Sequence, residues 1–189
     1  MRIGLVLLPD EPTTRACERV SAELVRERRP RVTLGPERLA HVTLLHAELP
    51  EIDAPAAWSA CEAALPRSLP LSIMGLALLS YARPYNVPPE RAPAETATMA
   101  YLMVPCTAAL RAAERAALEL AWVRAGTVTT GNRDAFAPHV TAAIWDGPRW
   151  PAADDLAAEV IARGPFVARL ALGVIGENGV YERTLAGGW

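Results

Sequence analysis

The chain contains no lysine: all 19 of its basic residues are arginine. A ligase that works through a nucleotide-accepting lysine is therefore excluded. Cysteine is scarce as well. Cys17, Cys61 and Cys106 are odd in number and widely spaced, and the lack of any Cys-x-x-Cys pair removes the usual zinc and redox motifs. A reduced, cytoplasmic setting fits that usage. No apolar run approaches the roughly 18 residues of a membrane-crossing helix, the longest being residues 69–79 and 167–175. Pro9, Asp10 and Glu11 stand where a signal peptide would carry its small-residue cleavage site, so the apolar start reads as a first strand. Charge of one sign is missing too: 19 basic against 21 acidic residues leave −2, no field for holding long nucleic acid. Histidine is limited to His41, His46 and His139.

What is present is enough apolar material for a core. With 51% hydrophobic residues over 189 positions, the chain can form one large domain or two small lobes. Arg2 to Leu8 reads as a buried strand. A helix follows from Asp10–Thr14 to Arg29, with Cys17, Val20, Leu24 and Val25 at helical spacing. Ala40 to Leu49 reads as a strand, Asp53 caps a helix ending at Pro66, and Leu69 to Tyr81 reads as one long strand. The order then repeats: a strand at Met99–Val104, a helix from Thr107 to Arg124, a strand at His139–Trp145, a helix from Pro151 to Arg163, and strands at Phe166–Ile175 and Gly179–Leu185. The expected fold is α+β, a single bilobal domain over residues 1–189 with antiparallel sheets, outer helices and pseudo-repeats at about 1–82 and 99–185. Two segments interrupt the repeat, Arg83–Thr98 and Gly126–Pro138, and the second leads directly into His139.

Two strands carry the same triplet, His41-Val42-Thr43 and His139-Val140-Thr141. Residues two apart on a strand share a face, so each triplet presents one imidazole and one hydroxyl together. An imidazole can act as general acid or base near neutral pH, and a threonine hydroxyl can hold a phosphate oxygen. Set opposite each other across a central groove, the pair would serve both ends of an in-line displacement at a phosphodiester. Strand parity puts His46 on the other face from His41. The same rule puts Trp145 on the face of His139, where it could stack on a base or ribose, the alternative being a core or lobe-interface tryptophan. Arg26, Arg28, Arg29 and Arg31 read as a solvated helix end. Arg133 and Tyr85, in the two irregular segments, are candidate substrate contacts.

The paired triplets resemble those of the 2H phosphoesterase superfamily, which includes the 2′-5′ RNA ligase-like and cyclic nucleotide phosphodiesterase proteins. The resemblance spans nearly the whole chain. Phe136, Pro138 and Tyr181 also match the family's habit, and Phe136 and Tyr181 join the candidate substrate contacts. It implies hydrolysis of 2′,3′-cyclic phosphates or 2′,5′-linked phosphodiesters of nucleotides or RNA ends, with His41 and His139 catalytic and Thr43 and Thr141 on the phosphate. No cofactor, no metal and no membrane would be involved, and the protein would act as a monomer. Reversal of the same step as an RNA ligase, or a module that binds nucleotides or RNA ends without turnover, are the alternatives. The first motif continues with Leu44 as many members do. The second departs, reading Ala142 and Ala143, then Ile144, Trp145 and Asp146 where members often have a basic residue.

Overall fold

A computed structural model describes residues 1–26, 30–81, 97–129, 136–147, 155–176 and 179–189. Among them the chain forms ten strands and five helices, an α+β arrangement of two antiparallel sheets. The first sheet is built on β1 (Arg2–Pro9), whose apolar run is buried from Ile3 to Pro9 because it lies between two other strands. On one side it pairs with β3 (Val42–Glu48), and β3 with the short β7 (Thr127–Val128). On the other side it pairs with β9 (Phe166–Ile175), which carries β10 (Tyr181–Gly187) along one stretch and β4 (Ser68–Leu71) along another. The second sheet runs β2 (Val32–Thr33), β8 (His139–Asp146), β6 (Ala97–Met103), β5 (Gly75–Tyr81).

Each sheet draws on both ends of the chain. β7 and β9, late in sequence, flank β3 and β1, while β2 and β5, early in sequence, flank β8 and β6. The helices cross in the same way. Helix α1 (Glu11–Leu24) packs against β8, and α3 (Ala108–Leu118) packs against β3. One continuous core results, joining Leu5, Leu7, Val42 and Leu44 to Leu102, Val140, Ala142 and Trp145. Helix starts follow local chemistry. Asp10 accepts from the Thr13 amide at 2.9 Å and Pro12 sits in the first turn of α1. Asp53 caps α2 (Ala54–Ala64) in the same manner, and Thr107 caps α3.

Three expectations need correction. The strand expected over Leu69–Tyr81 is two strands in different sheets. Pro70 has no N–H for a ladder, which suits a short edge strand, and the chain passes between sheets at residues 72–74. The helix expected from Thr107 to Arg124 breaks at Leu120, which is extended and buried, before α4 (Ala121–Arg124). Helix α1 stops at Leu24 rather than Arg29. Of the helix expected from Pro151, α5 (Ala158–Ala162) is described; its start lies outside the described residues, as do Tyr85, Arg133, Arg28, Arg29 and residues 82–96. Among the described residues no helix is long and apolar enough to cross a membrane.

Close approach explains two glycines. Gly4 and Gly173 pair across β1 and β9. A Cβ on Gly173 would sit 2.5 Å from both the Arg183 carbonyl oxygen and the Tyr181 ring. A Cβ on Gly4 would run into Ile175 and come within 3.3 Å of His46 Cδ2. Bare backbone at these two positions leaves room for the Tyr181 and His46 rings. Gly173→Ala is therefore expected to destabilise the fold by ~1–3 kcal/mol through overpacking, read as a lowered urea midpoint. An unchanged midpoint would show that the Tyr181 ring does not rest there.

Candidate functional site

The two triplets occupy equivalent places in the two sheets, and the match extends to register. Thr43 lies opposite Val6 and Val42 opposite Leu7 on β1; Thr141 lies opposite Tyr101 and Val140 opposite Leu102 on β6. Both ladders then slip at the next position. Leu45 pairs with Leu5, and Ala143 with Ala100, so Leu44 and Ala142 are each an extra residue. A bulge of this kind bends the strand and leaves one residue outside the ladder. At Ala142 the freed carbonyl is not wasted: the buried Ser21 hydroxyl, on α1, donates to it at 2.6 Å. Ser21 also accepts from the Leu34 amide at 3.0 Å and meets the Thr33 hydroxyl at 2.8 Å.

The bulge overturns both parity arguments made beyond the threonines. One inserted residue reverses which face each later side chain takes. His46, expected on the far face, lies on the Thr43 side, with its Nε2 3.4 Å from Thr43 Oγ1. Trp145, expected beside His139, belongs to the main core with Val140 and Ala142 and is 1% exposed. Its indole N–H has no partner among the described residues, and it cannot stack on a ligand from there. In β8 the place that His46 takes in β3 belongs to Ile144, buried among Val32, Met99 and Tyr101.

Each catalytic candidate is held in the same way. His41 Nδ1 donates to the Leu39 carbonyl at 2.9 Å, and His139 Nδ1 donates to the Ala137 carbonyl at 2.8 Å. A carbonyl can only accept, so the Nδ1 proton is fixed in both neutral rings and Nε2 carries the lone pair. Each ring also has a tyrosine. Tyr181, fully buried, lies 5.6 Å from His41 with its hydroxyl donating to Thr184 Oγ1 at 3.0 Å. Tyr101 stacks on His139 at 3.8 Å between centroids. The sequence pointed to Tyr181, but as a substrate contact; its burial makes it a support for His41. Tyr101 was missed, since nothing in its own segment marks it, and only the β6–β8 register brings it to His139.

The segment before His139 is stapled in place. Arg111 lies 5.1 Å over the Phe136 ring and donates to the Phe136 carbonyl at 3.4 Å, while the Val104 amide donates to the Pro138 carbonyl at 3.0 Å. Phe136 thus packs against the core and anchors the carbonyl that orients His139. Gly179 and Val180 link the two sheets. The Gly179 backbone lies against His41, and Val180 packs on the cluster of Val32, Met99 and Tyr101. Arg26 and Arg31 pair with Glu23 and Asp146.

All three histidines are hard to protonate. Burial, opposed by the Leu39 carbonyl and aided by the His139 charge, pushes His41 down to about 4. Burial, then the charges of His41, Arg2 and His139, pushes His46 down to about 3. Burial lowers His139 as well, against the pull of the Ala137 carbonyl. The charge of a protonated His139 would thus be felt at His41, and both rings are neutral at pH 7. Among the described residues no group of three or more His, Cys, Asp or Glu is placed to hold a metal ion. Compared with known proteins, the chain matches no family model and no curated sequence.

The lowered values carry a stability consequence. Unfolded, these rings take a proton near 6.5; folded, His41 and His46 do so only near 4 and 3. Between those values the unfolded chain binds more protons, so stability present above about pH 6.5 is lost as pH falls. Urea unfolding between about pH 7 and pH 4.5 should show that decline, and His46→Phe should flatten it because one of the titrating rings is gone. An equally steep decline in the variant would show that His46 does not titrate this way.

Proposed function

We propose that this protein is a metal-independent phosphodiesterase of the 2H type, bilobal and pseudo-duplicated, that hydrolyses 2′,3′-cyclic or 2′,5′-linked phosphodiesters of nucleotides or RNA ends. The observation that carries the reading is the double framing of His-Val-Thr: the same register, the same bulge after the threonine, and the same Nδ1 clamp by the carbonyl two residues earlier. Two neutral imidazoles with lone pairs on Nε2 supply one proton acceptor and one site for a proton. A phosphodiester anion seated between them raises the proton affinity of both rings, because opposite charge favours the charged form. One ring then takes a proton and becomes the acid for the leaving ribose oxygen, while the other accepts a proton from water. Thr43 and Thr141 hold the non-bridging oxygens, where charge builds in the transition state. Strand exchange supports the pseudo-duplicated reading, since β1, β3 and their flanking strands correspond in order to β6, β8 and theirs.

A second reading keeps the ligand and drops the chemistry. Both rings are neutral in the free protein, which also suits a module that binds a nucleotide or RNA end without turnover. Ligation would need reversal of the hydrolytic step, as the chain has no lysine to carry a nucleotide.

The deciding measurement is turnover of 2′,3′-cyclic mononucleotides, 2′,5′-linked dinucleotides and RNA with a cyclic end. His41→Ala and His139→Ala should each lower kcat by about 10²–10⁴-fold, with a bell-shaped pH profile for the wild type and no loss in EDTA. Thr43→Val and Thr141→Val should each cost about 10²–10³-fold. Full activity in either histidine variant, or loss on adding EDTA, would sink the proposal; binding without any turnover would establish the second reading.

A further inference from the structure

His46 sits where only a bulge could bring it. Its backbone is pinned from both sides, facing Gly4 on β1 and accepting from the Thr129 amide at 2.9 Å through its carbonyl. Its ring lies over the bare Gly4 backbone, is 4% exposed, and presents Nε2 to Thr43 Oγ1 at 3.4 Å. β8 offers Thr141 no such neighbour, because Ile144 fills the corresponding place. The two triplets are alike, but the surroundings of their threonines are not.

A threonine hydroxyl has one proton and two acceptor sites. If Thr43 donates to His46, it has nothing to give a phosphate oxygen. If His46 donates to Thr43, the hydroxyl proton is directed elsewhere. We infer that His46 is a positioning residue for Thr43: its Nε2–H donates to Thr43 Oγ1 and leaves the hydroxyl proton for an oxygen of the bound phosphodiester. The inference rests on the reading of Thr43 as a phosphate ligand. Burial keeps the His46 ring neutral, so it holds a single proton and its tautomer decides the direction of the bond. A separation of 3.4 Å is long for N–H···O, as such bonds often are before a ligand draws them tight. His46 thus takes the opposite tautomer to His41 and His139, whose protons are fixed on Nδ1.

Two measurements test this, and the first needs no activity. In the imidazole nitrogen NMR spectrum of the whole protein at about pH 7, His46 should appear as the Nε2–H form and His41 and His139 as Nδ1–H. Thr43→Val should shift the His46 Nε2 signal. A His46 proton on Nδ1, or no response to Thr43→Val, overturns the inference. The second measurement is kinetic, on a 2′,3′-cyclic mononucleotide. His46→Phe should lower kcat by about tenfold with little change in KM, as expected for one lost orienting hydrogen bond. His46→Gln, which restores an N–H donor, should recover part of that loss. The double variant Thr43→Val with His46→Phe should be no slower than Thr43→Val alone. Independent, multiplying losses would overturn the inference even if His46→Phe folds poorly, because the Gln variant reads the same coupling. Absence of turnover by the wild type would sink the phosphodiesterase reading instead, and the nitrogen spectra would still decide the tautomer.

Discussion

The arrangement of the site depends on one inserted residue in each triplet-bearing strand. Up to the threonine, β3 and β8 obey simple alternation, which sets His and Thr on one face and Val on the core. Directly after it, Leu44 and Ala142 fall out of the ladder and the alternation is reset. In β8 the reset sends Trp145, the largest fully buried side chain, into the core. In β3 it sends a histidine to the polar face. The same device anchors one sheet by its large aromatic and equips the other with a third imidazole. Its cost at Ala142 is offset by Ser21, whose hydroxyl replaces the partner that the ladder no longer supplies.

Because α1 carries Ser21 and packs on β8, the first helix of the chain helps to shape the second triplet. The reverse holds for the first triplet. Helix α3 packs on β3, and β7 extends the β3 edge from late in the chain. With β2 and β5 in one sheet and β9 and β10 in the other, neither sheet can form from one end of the chain alone. The two histidines thus come together through contacts far apart in sequence. Their mutual position is a property of the whole fold rather than of either strand.

Much of this was legible in the residues. The capped helix starts at Asp10, Asp53 and Thr107 follow from side chains that can accept an amide proton, and β1, β3, β8, β9 and β10 follow from short apolar or alternating runs. The identical triplets identified four of the side chains that the structure sets in equivalent places. What could not be read is whatever depends on pairing. Neither Leu44 nor Ala142 differs in character from an ordinary strand residue, so nothing marked the bulges, and the faces of His46 and Trp145 were reversed. Tyr101 gained its relation to His139 only through register. The passage of the chain between sheets after Leu71 was hidden for a related reason: an apolar run looks the same whether it serves one sheet or two.

The electrostatic state of the site follows from the same packing. Three imidazoles near one another, with Arg2 also felt by His46, would repel strongly if charged, and burial makes the charged forms costlier still. The folded protein resolves this by leaving all three neutral. Neutrality has opposite meanings for the different rings. His46, most enclosed of the three, presents its Nε2 to Thr43, where its tautomer sets the direction of that bond. His41 and His139 are half-buried, and the proton they lack is one that an arriving anion can restore. A site built this way couples ligand charge to proton uptake. On the proposed phosphodiesterase reading, its acid is created by binding rather than stored beforehand, and an uncharged ligand of the same shape would find two bases and no acid.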